Sequence, residues 1–201
     1  MKLIVALCKN RGIGKDNELP WNIRSDLIKF SKLTRGSGNN AIIMGKNTWL
    51  SLPKRPLPKR DNLILSSSLK LEDLKRDFLS TNFGEFPENI KIFKNVEDLL
   101  EFCREKYDDI WVIGGASIYR EFLDRNLVKE MYISYIDKDF DCDVFFPEIN
   151  EVDWIVETSE LPLKEGEEYE FAIYDKKYIR KRLSVKDILE RENMMVEKPI
   201  E

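Results

Sequence analysis

Four short, nearly continuous apolar runs constrain this chain most: Lys2-Leu3-Ile4-Val5-Ala6-Leu7-Cys8, Ala41-Ile42-Ile43-Met44, Asn62-Leu63-Ile64-Leu65 and Ile110-Trp111-Val112-Ile113. A strand with one wet face alternates apolar and polar residues. A run that is apolar throughout has both faces covered, as inside a parallel sheet. Each run is followed by Gly, Ser or Lys, residues that turn the chain or contact anions. Helical patterns lie between the runs. Asn95 can cap Val96 to Cys103, with acidic residues in the first turn where the helix dipole favours them, and Ala116 to Leu123 is a second helix. Later stretches at 130–136, 154–158 and 169–174 alternate as strands do. Together these predict an α/β sheet, mostly parallel, with an antiparallel finish. Residues 69–88 are charged and irregular, and read as a surface insertion with room for one helical turn.

Composition excludes much chemistry. There is no histidine among the 201 residues, which removes Ser-His and Cys-His nucleophiles, His-ligated metals and the commonest general base. Cys8, Cys103 and Cys142 are far apart in sequence and odd in number. No zinc cage, dithiol pair or disulfide framework is expected, and no metal site. The 33 basic and 37 acidic residues nearly balance, giving no whole-chain argument for nucleic acid or membrane. With no leader pattern or long apolar run, a soluble protein of a reducing, cytoplasmic compartment is expected. Carboxylates, hydroxyls, backbone dipoles or an organic cofactor must carry any chemistry.

Asp26 is the leading chemical candidate. It follows Trp21 by five residues, in the first turn of a helix whose Leu27, Phe30 and Leu33 fall on one side. Burying that side strips water from the carboxylate. The group then needs a cationic or amidine-like partner, or it keeps its proton. Taken alone, such an aspartate more often serves the helix dipole. Two strand-to-helix loops change the balance: Met44-Gly45-Lys46-Asn47-Thr48-Trp49 and Ile113-Gly114-Gly115-Ala116-Ser117-Ile118-Tyr119. At the carboxyl end of a parallel sheet, glycines allow close backbone approach and helix N-termini offer free N–H groups to phosphate. Lys46, Thr48, Ser117 and the run Ser66-Ser67-Ser68 add donors, so a dinucleotide across the sheet edge fits. Neither loop is a Rossmann fingerprint or a Walker P-loop.

With Leu19-Pro20-Trp21-Asn22, Asp26-Leu27 through Phe30 and Thr34, the Gly45 and Gly114-Gly115 loops, Arg55-Pro56-Leu57-Pro58-Lys59-Arg60, Tyr119 and Phe145-Phe146-Pro147, the chain resembles dihydrofolate reductase from its start to about Lys177. The insertion after Leu69 and the segment Asp139 to Pro147 look more like the longer eukaryotic-type members. The resemblance implies a central eight-stranded mixed sheet flanked by helices. It also implies NADPH as cofactor, dihydrofolate as small-molecule partner, and a monomer. Asp26 is then expected to bind the pterin 2-amino group and N3, with Trp21 positioning an ordered water. Ser134 stands where the family usually has threonine. Backbone carbonyls of Ile4 and Ile113 accept from the pterin, and Val5, Leu27 and Phe30 wall it, with Tyr119 nearby. Leu52 and Leu57 cover the aminobenzoyl ring, and Arg60 clamps the glutamate α-carboxylate. On the cofactor side, backbone groups of Ala6 and Ile13 hold the carboxamide, and Gly14 is among the cofactor-binding residues. Gly45, Lys46, Asn47 and Thr48, with Gly114, Gly115, Ala116, Ser117 and Ile118, hold the phosphates. Lys46 with Ser66 or Ser67 meets the 2′-phosphate, and Leu65 is among the cofactor-binding residues. Members often carry arginine where this chain has Ser67 or Ser117, so that grip falls mainly on Lys46. The Gly114-Gly115 bond is cis in the family, and Lys9 to Pro20 is expected to form a mobile lid.

Two other readings share this scaffold: a pyrimidinone reductase of riboflavin synthesis, and a non-catalytic binding protein. The set Asp26, Phe30 and Arg60 argues against the first, and intact Asp26, Trp21 and Gly114-Gly115 against the second. Residues 1–177 are expected to form the domain. Residues 178–201 read as a charged extension with a short amphipathic helix after Ser184, packed weakly or docking toward a thymidylate synthase partner.

Overall fold

The computed structural model describes residues 1–81, 85–158 and 171–181. In chain order the elements are β1 (Lys2–Cys8), β2 (Gly12–Gly14), α1 (Arg24–Arg35), β3 (Asn40–Gly45), α2 (Lys46–Ser51), β4 (Asp61–Leu65), α3 (Leu71–Thr81) and β5 (Ile90–Phe93). There follow α4 (Val96–Cys103), β6 (Asp109–Gly114), α5 (Ala116–Asp124), β7 (Glu130–Ile136), β8 (Val144–Phe145), β9 (Trp154–Thr158) and β10 (Ile173–Arg180). Eight strands form one sheet in the order β5-β4-β3-β6-β1-β7-β10-β9. The first six pair in parallel; β10 runs antiparallel to both β7 and β9. The expected α/β sheet with an antiparallel finish is therefore present.

The apolar runs are continuous because each strand feeds two layers. Leu3, Val5, Leu7, Ala41, Ile43, Leu63 and Val112 pack on one face with Val96 and Leu99 of α4 and Phe122 of α5. Ile4, Ile42, Met44, Ile64, Trp111 and Ile113 pack on the other with Trp49 of α2, and with Phe30 and Leu33 of α1. Each fully buried side chain of this size stabilises the fold by about 1.5–3 kcal/mol. A third cluster, Cys8, Trp21, Ile23, Ile136 and Ile173, closes one end of the sheet.

Three local expectations change. The region read as irregular holds an 11-residue helix, α3, whose Leu74 packs on the second cluster. Ile90–Phe93 forms the edge strand β5, with Lys91 interrupting its apolar pattern. The final strand starts at Ile173 and runs to Arg180, later than the expected 169–174 and past the expected boundary at Lys177, while Tyr169, Glu170 and the helix after Ser184 lie outside the described residues. The basic residues Lys176 and Lys177 thus lie within a sheet strand, where Lys177 pairs with Glu130 at 3.6 Å. Tyr178 is buried, and Arg180 packs over the Trp154 ring at 4.5 Å. A chain ending after Lys177 loses both, at a cost of about 3 kcal/mol or more. Urea denaturation is expected to show it unfolding at clearly lower denaturant than a chain ending after Lys181.

Candidate active site

The sheet reverses its winding around β1: the chain steps outward through β3, β4 and β5, then returns to place β6 between β3 and β1. A crevice at the carboxyl ends of such strands is the usual ligand position in an open α/β sheet. The ends of β1, β3, β6 and β7 bring Ala6, Gly45, Gly114 and Ser134 to this edge. α1 crosses the same sheet face, carrying Asp26 in its first turn.

Asp26 is partly shielded, and Leu27 beside it leaves 49% of its surface exposed, so the predicted apolar side of α1 is only partly covered. Burial pushes the Asp26 carboxyl above its ordinary range. A hydrogen bond from Ser134 and the charge of Lys29 pull it partly back, and Asp175 pushes it up again. Ser134 is itself buried, at 2% exposure. Trp21 is buried edge-on against Phe140, at 5.2 Å between ring centroids. Tyr119 donates its hydroxyl to the Ile4 carbonyl at 2.9 Å, leaving that carbonyl a second lone pair. Burial and the nearby Asp26 charge push the Tyr119 phenol far up, so it stays a neutral donor.

Three buried N–H groups lack a partner among the described residues: Trp21 Nε1, Arg60 Nε and Trp111 Nε1. Leaving such a group unpaired is costly, so each calls for an explanation. Two belong to residues singled out for ligand contact. Arg60 is 5% exposed, donates to Thr34 Oγ1, lies 5.8 Å from the Phe30 ring, and pairs with no carboxylate among the described residues. Burial, aided by the charge of Arg35, lowers its pKa to about 10, which leaves it charged at neutral pH. Its loop is held by Asn62, which accepts from Leu57 N at 3.0 Å and donates to the carbonyls of Leu57 and Arg60 at 2.9 and 3.1 Å. A buried guanidinium with an open donor suits a carboxylate or another planar anion. Leu52 and Leu57 pack on the same cluster as Phe30.

The two strand-to-helix loops approach closely. A Cβ on Gly45 would come within 3.0 Å of Ile118 Cγ1, and one on Gly115 within 3.3 Å of Thr48 Oγ1. Neither α2 nor α5 has a side-chain cap. Their first amides therefore stay open beside Asn47, Thr48, Ala116 and Ser117. Lys46 Nζ donates to Ser68 Oγ at 3.3 Å, which sets it beside the 66–68 serine run. The Ser66 hydroxyl accepts from the amides of Ser68 and Leu69. Backbone amides, hydroxyls and one ammonium, with no acid among them, fit the phosphates of a dinucleotide. The Gly114-Gly115 bond is cis, as is Arg55-Pro56.

The remaining expected residues divide between the faces. Val5 and Ile118, with Ile13 and Leu65 against them, pack in the cluster beneath α4 and α5. Val5 thus offers its backbone, not its side chain, to a ligand on the α1 face. Ile4 and Ile113 lie on the α1 face, and Ala6 packs against the cluster of Trp21. The segment expected as a lid pairs through β2 with β8, and Gly14 O accepts from Asp143 N at 3.1 Å. A Cβ on Gly12 would overlap the side chain of Cys142, whose sulfur lies 3.9 Å from that of Cys8. Sequence spacing gave no sign of this thiol pair. It gave no sign of Lys29 either, which donates to Ser134 and pairs with Asp175.

A sequence profile described as Dihydrofolate reductase matches residues 1–178. The chain belongs to the dihydrofolate reductase family. Dihydrofolate reductase of Drosophila melanogaster is 34% identical over 187 residues, covering 87% of this chain and 96% of that protein. The Gallus gallus protein of the same name is 32% identical over 191 residues, covering 86% and 94%. A bifunctional dihydrofolate reductase-thymidylate synthase of Plasmodium berghei is 41% identical over 161 residues, covering 77% of this chain and 27% of that protein. Among solved structures, dihydrofolate reductase from Enterococcus faecalis, complexed with NADP(H) and RAB-propyl, superposes with a TM-score of 0.72 at 25% identity, over 90% of this chain and 96% of that one. The family is an enzyme family, and the crevice described above is its candidate active site here. Among the described residues no acid, histidine or cysteine cluster could hold a metal ion, and no helix is long and apolar enough to cross a membrane.

Gly114 has a φ of +110°, and a Cβ there would touch the Tyr119 ring at 3.0 Å; Gly38 has a φ of +107° with nothing within 4 Å. The pair separates backbone strain from collision. Gly114→Ala is expected to cost about 1–3 kcal/mol more than Gly38→Ala in urea unfolding. Equal costs would mean that Tyr119 yields without penalty.

Proposed function

We propose that this chain reduces 7,8-dihydrofolate to 5,6,7,8-tetrahydrofolate with NADPH, and that Asp26 is the group around which the reaction is organised. The observation that carries the reading is a carboxylate shielded from water in the first turn of α1, raised by burial and lowered again by the Ser134 hydroxyl and Lys29, on a chain whose Trp21, five residues earlier, keeps a buried indole N–H without a partner among the described residues. Asp26 accepts two hydrogen bonds from the amidine-like edge of the pterin, a charge-assisted pair in a poorly hydrated site. That charge orients the ring and favours a proton on N5, which Trp21 helps supply by holding a water. Ile4 and Ile113 carbonyls accept from the ring amino groups, and Leu27 and Phe30 flank its faces. Arg60 takes the α-carboxylate of the glutamate tail with the N–H that lacks a protein partner. NADPH, when bound, supplies the hydride that goes to C6. The open amides of the Gly45 and Gly115 loops, with Thr48 and Ser117, hold its phosphates, and Lys46 meets the 2′-phosphate. Residues 9–20 exclude water from the transfer. The protein's contribution is alignment and electrostatics.

Residues 178–201 docking toward a thymidylate synthase is a partner reading supported only by the bifunctional relative. Pull-down with a chain ending after Lys181 as control tests it.

Asp26→Asn is expected to slow turnover by roughly 10²–10⁴-fold, the range for a positioned acid/base group. Its effect on stability has the opposite sign. Folding raises the Asp26 pKa, so the native state binds protons more tightly than the unfolded chain. The stability owed to this group is full below the ordinary carboxylate range and declines as pH rises through the raised native value. Thermal unfolding is therefore expected to find Asp26→Asn at least as stable as the unmodified protein at neutral pH, with any advantage vanishing in acid. Near-normal turnover in the variant would refute the role.

Arg60→Ala is expected to weaken dihydrofolate by about 10-fold or more, and a pterin lacking the glutamate far less. Equal losses in fluorescence titrations would contradict the clamp.

A further inference from the structure

The helix residue three after Asp26 has no place in the scheme above. We propose that Lys29 is a positioning residue that fixes the direction of the Ser134 hydroxyl, so that its proton points at Asp26. The inference rests on the proposed role of Asp26 and deepens it.

Three strands set the geometry. Ala6 of β1 is in register with Ser134 of β7, and Ser134 with Asp175 of β10. Directly opposed residues on neighbouring strands project to one face. On α1, Asp26 and Lys29 are spaced to project from one side of the helix. Two helix side chains thus stand over a row of three strand positions. Lys29 Nζ donates to Ser134 Oγ at 3.0 Å and forms an ion pair with Asp175.

An ammonium has three donors and no acceptor, whereas a hydroxyl has one donor and two acceptor positions. Ser134 Oγ must therefore accept from Lys29, and its single O–H is left free to turn toward Asp26, which stands on the same side of α1 as Lys29. Without Lys29 the hydroxyl could turn to another acceptor, such as Asp175. Serine makes the constraint matter, since it lacks the methyl that restricts a threonine rotamer. Asp175 anchors the ammonium, and the ammonium in turn screens Asp26 from the like charge of Asp175.

The groups interacting with Asp26 are few. Lys29 lies on its own helix, Ser134 on β7, Asp175 on β10, and the neutral Tyr119 on α5. Of these, Lys29 and Ser134 favour the ionised form, and Asp175 opposes it. Loss of Lys29 removes a favourable charge and also frees the hydroxyl.

The test is an NMR titration of the Asp26 carboxyl carbon in the full, ligand-free protein, assigned with Asp26→Asn. Lys29→Met is expected to move the midpoint upward. Lys29→Arg, which keeps a cationic donor, should move it less than half as far. In a Ser134→Ala background, Lys29→Met should also produce less than half of its original shift. An unmoved midpoint in Lys29→Met would overturn the proposal. So would a shift of undiminished size in the Ser134→Ala background, which would show a bare charge effect with no role for the hydroxyl. Circular dichroism of each variant guards against misfolding, with Lys29→Arg as the conservative control. The titration needs no substrate. Absent dihydrofolate reduction by the unmodified protein would count against the proposed function, and an unmoved titration would count only against Lys29.

Discussion

One carboxylate, half withdrawn from water at the mouth of a parallel sheet, organises the architecture around it. Asp26 is held where ionisation is disfavoured by burial and tolerated because a hydroxyl and an ammonium lie close. Such an arrangement is poor for stability and useful for recognition. A flat heterocycle offering two N–H donors can complete what the protein leaves incomplete. The same incompleteness recurs at Arg60, a buried cation with an open donor. On the proposed reading these two groups of opposite charge receive the two ends of one elongated ligand.

The sheet makes this possible by covering both of its faces. Residues on one side of the central strands pack beneath α4 and α5. Residues on the other meet α1 and the 52–60 loop, where Leu27 stays half exposed. Both faces contribute buried apolar side chains, and the proposed ligand contacts fall on the α1 face. At the sheet edge the two glycine loops come so close that a side chain at Gly45 or Gly115 would crowd the neighbouring helix. That closeness suits a ligand gripped by backbone, which is indifferent to side-chain rotamers.

The buried strands were legible because a run such as Ile42-Ile43-Met44 has few alternatives to an interior position. The two glycine loops and Asp26 were legible from their spacing. What escaped was set by tertiary contact. α3 hides in a charged segment because only a stripe around Leu74 is covered. β5 and β10 lie toward the sheet edges, where lysines are tolerated and the apolar pattern thins. Arg60 reads as a solvated charge in a proline-rich loop, and its burial follows from packing against Thr34 and Phe30. Lys29 reads as a polar helix position. Its link to Ser134 and Asp175 depends on the register of β7 with β10, which no local pattern reveals. The side chain of Val5 was expected at the ring, but the alternation of β1 turns it to the other face.

The most direct measurement is a crystal structure of the protein with folate and NADPH. The pterin ring is expected against α1, with its amino group and N3 both within hydrogen-bond distance of the Asp26 carboxylate and the glutamate end at Arg60. A heterocycle seated away from Asp26, or reversed so that the glutamate meets it, would contradict the role assigned to this carboxylate.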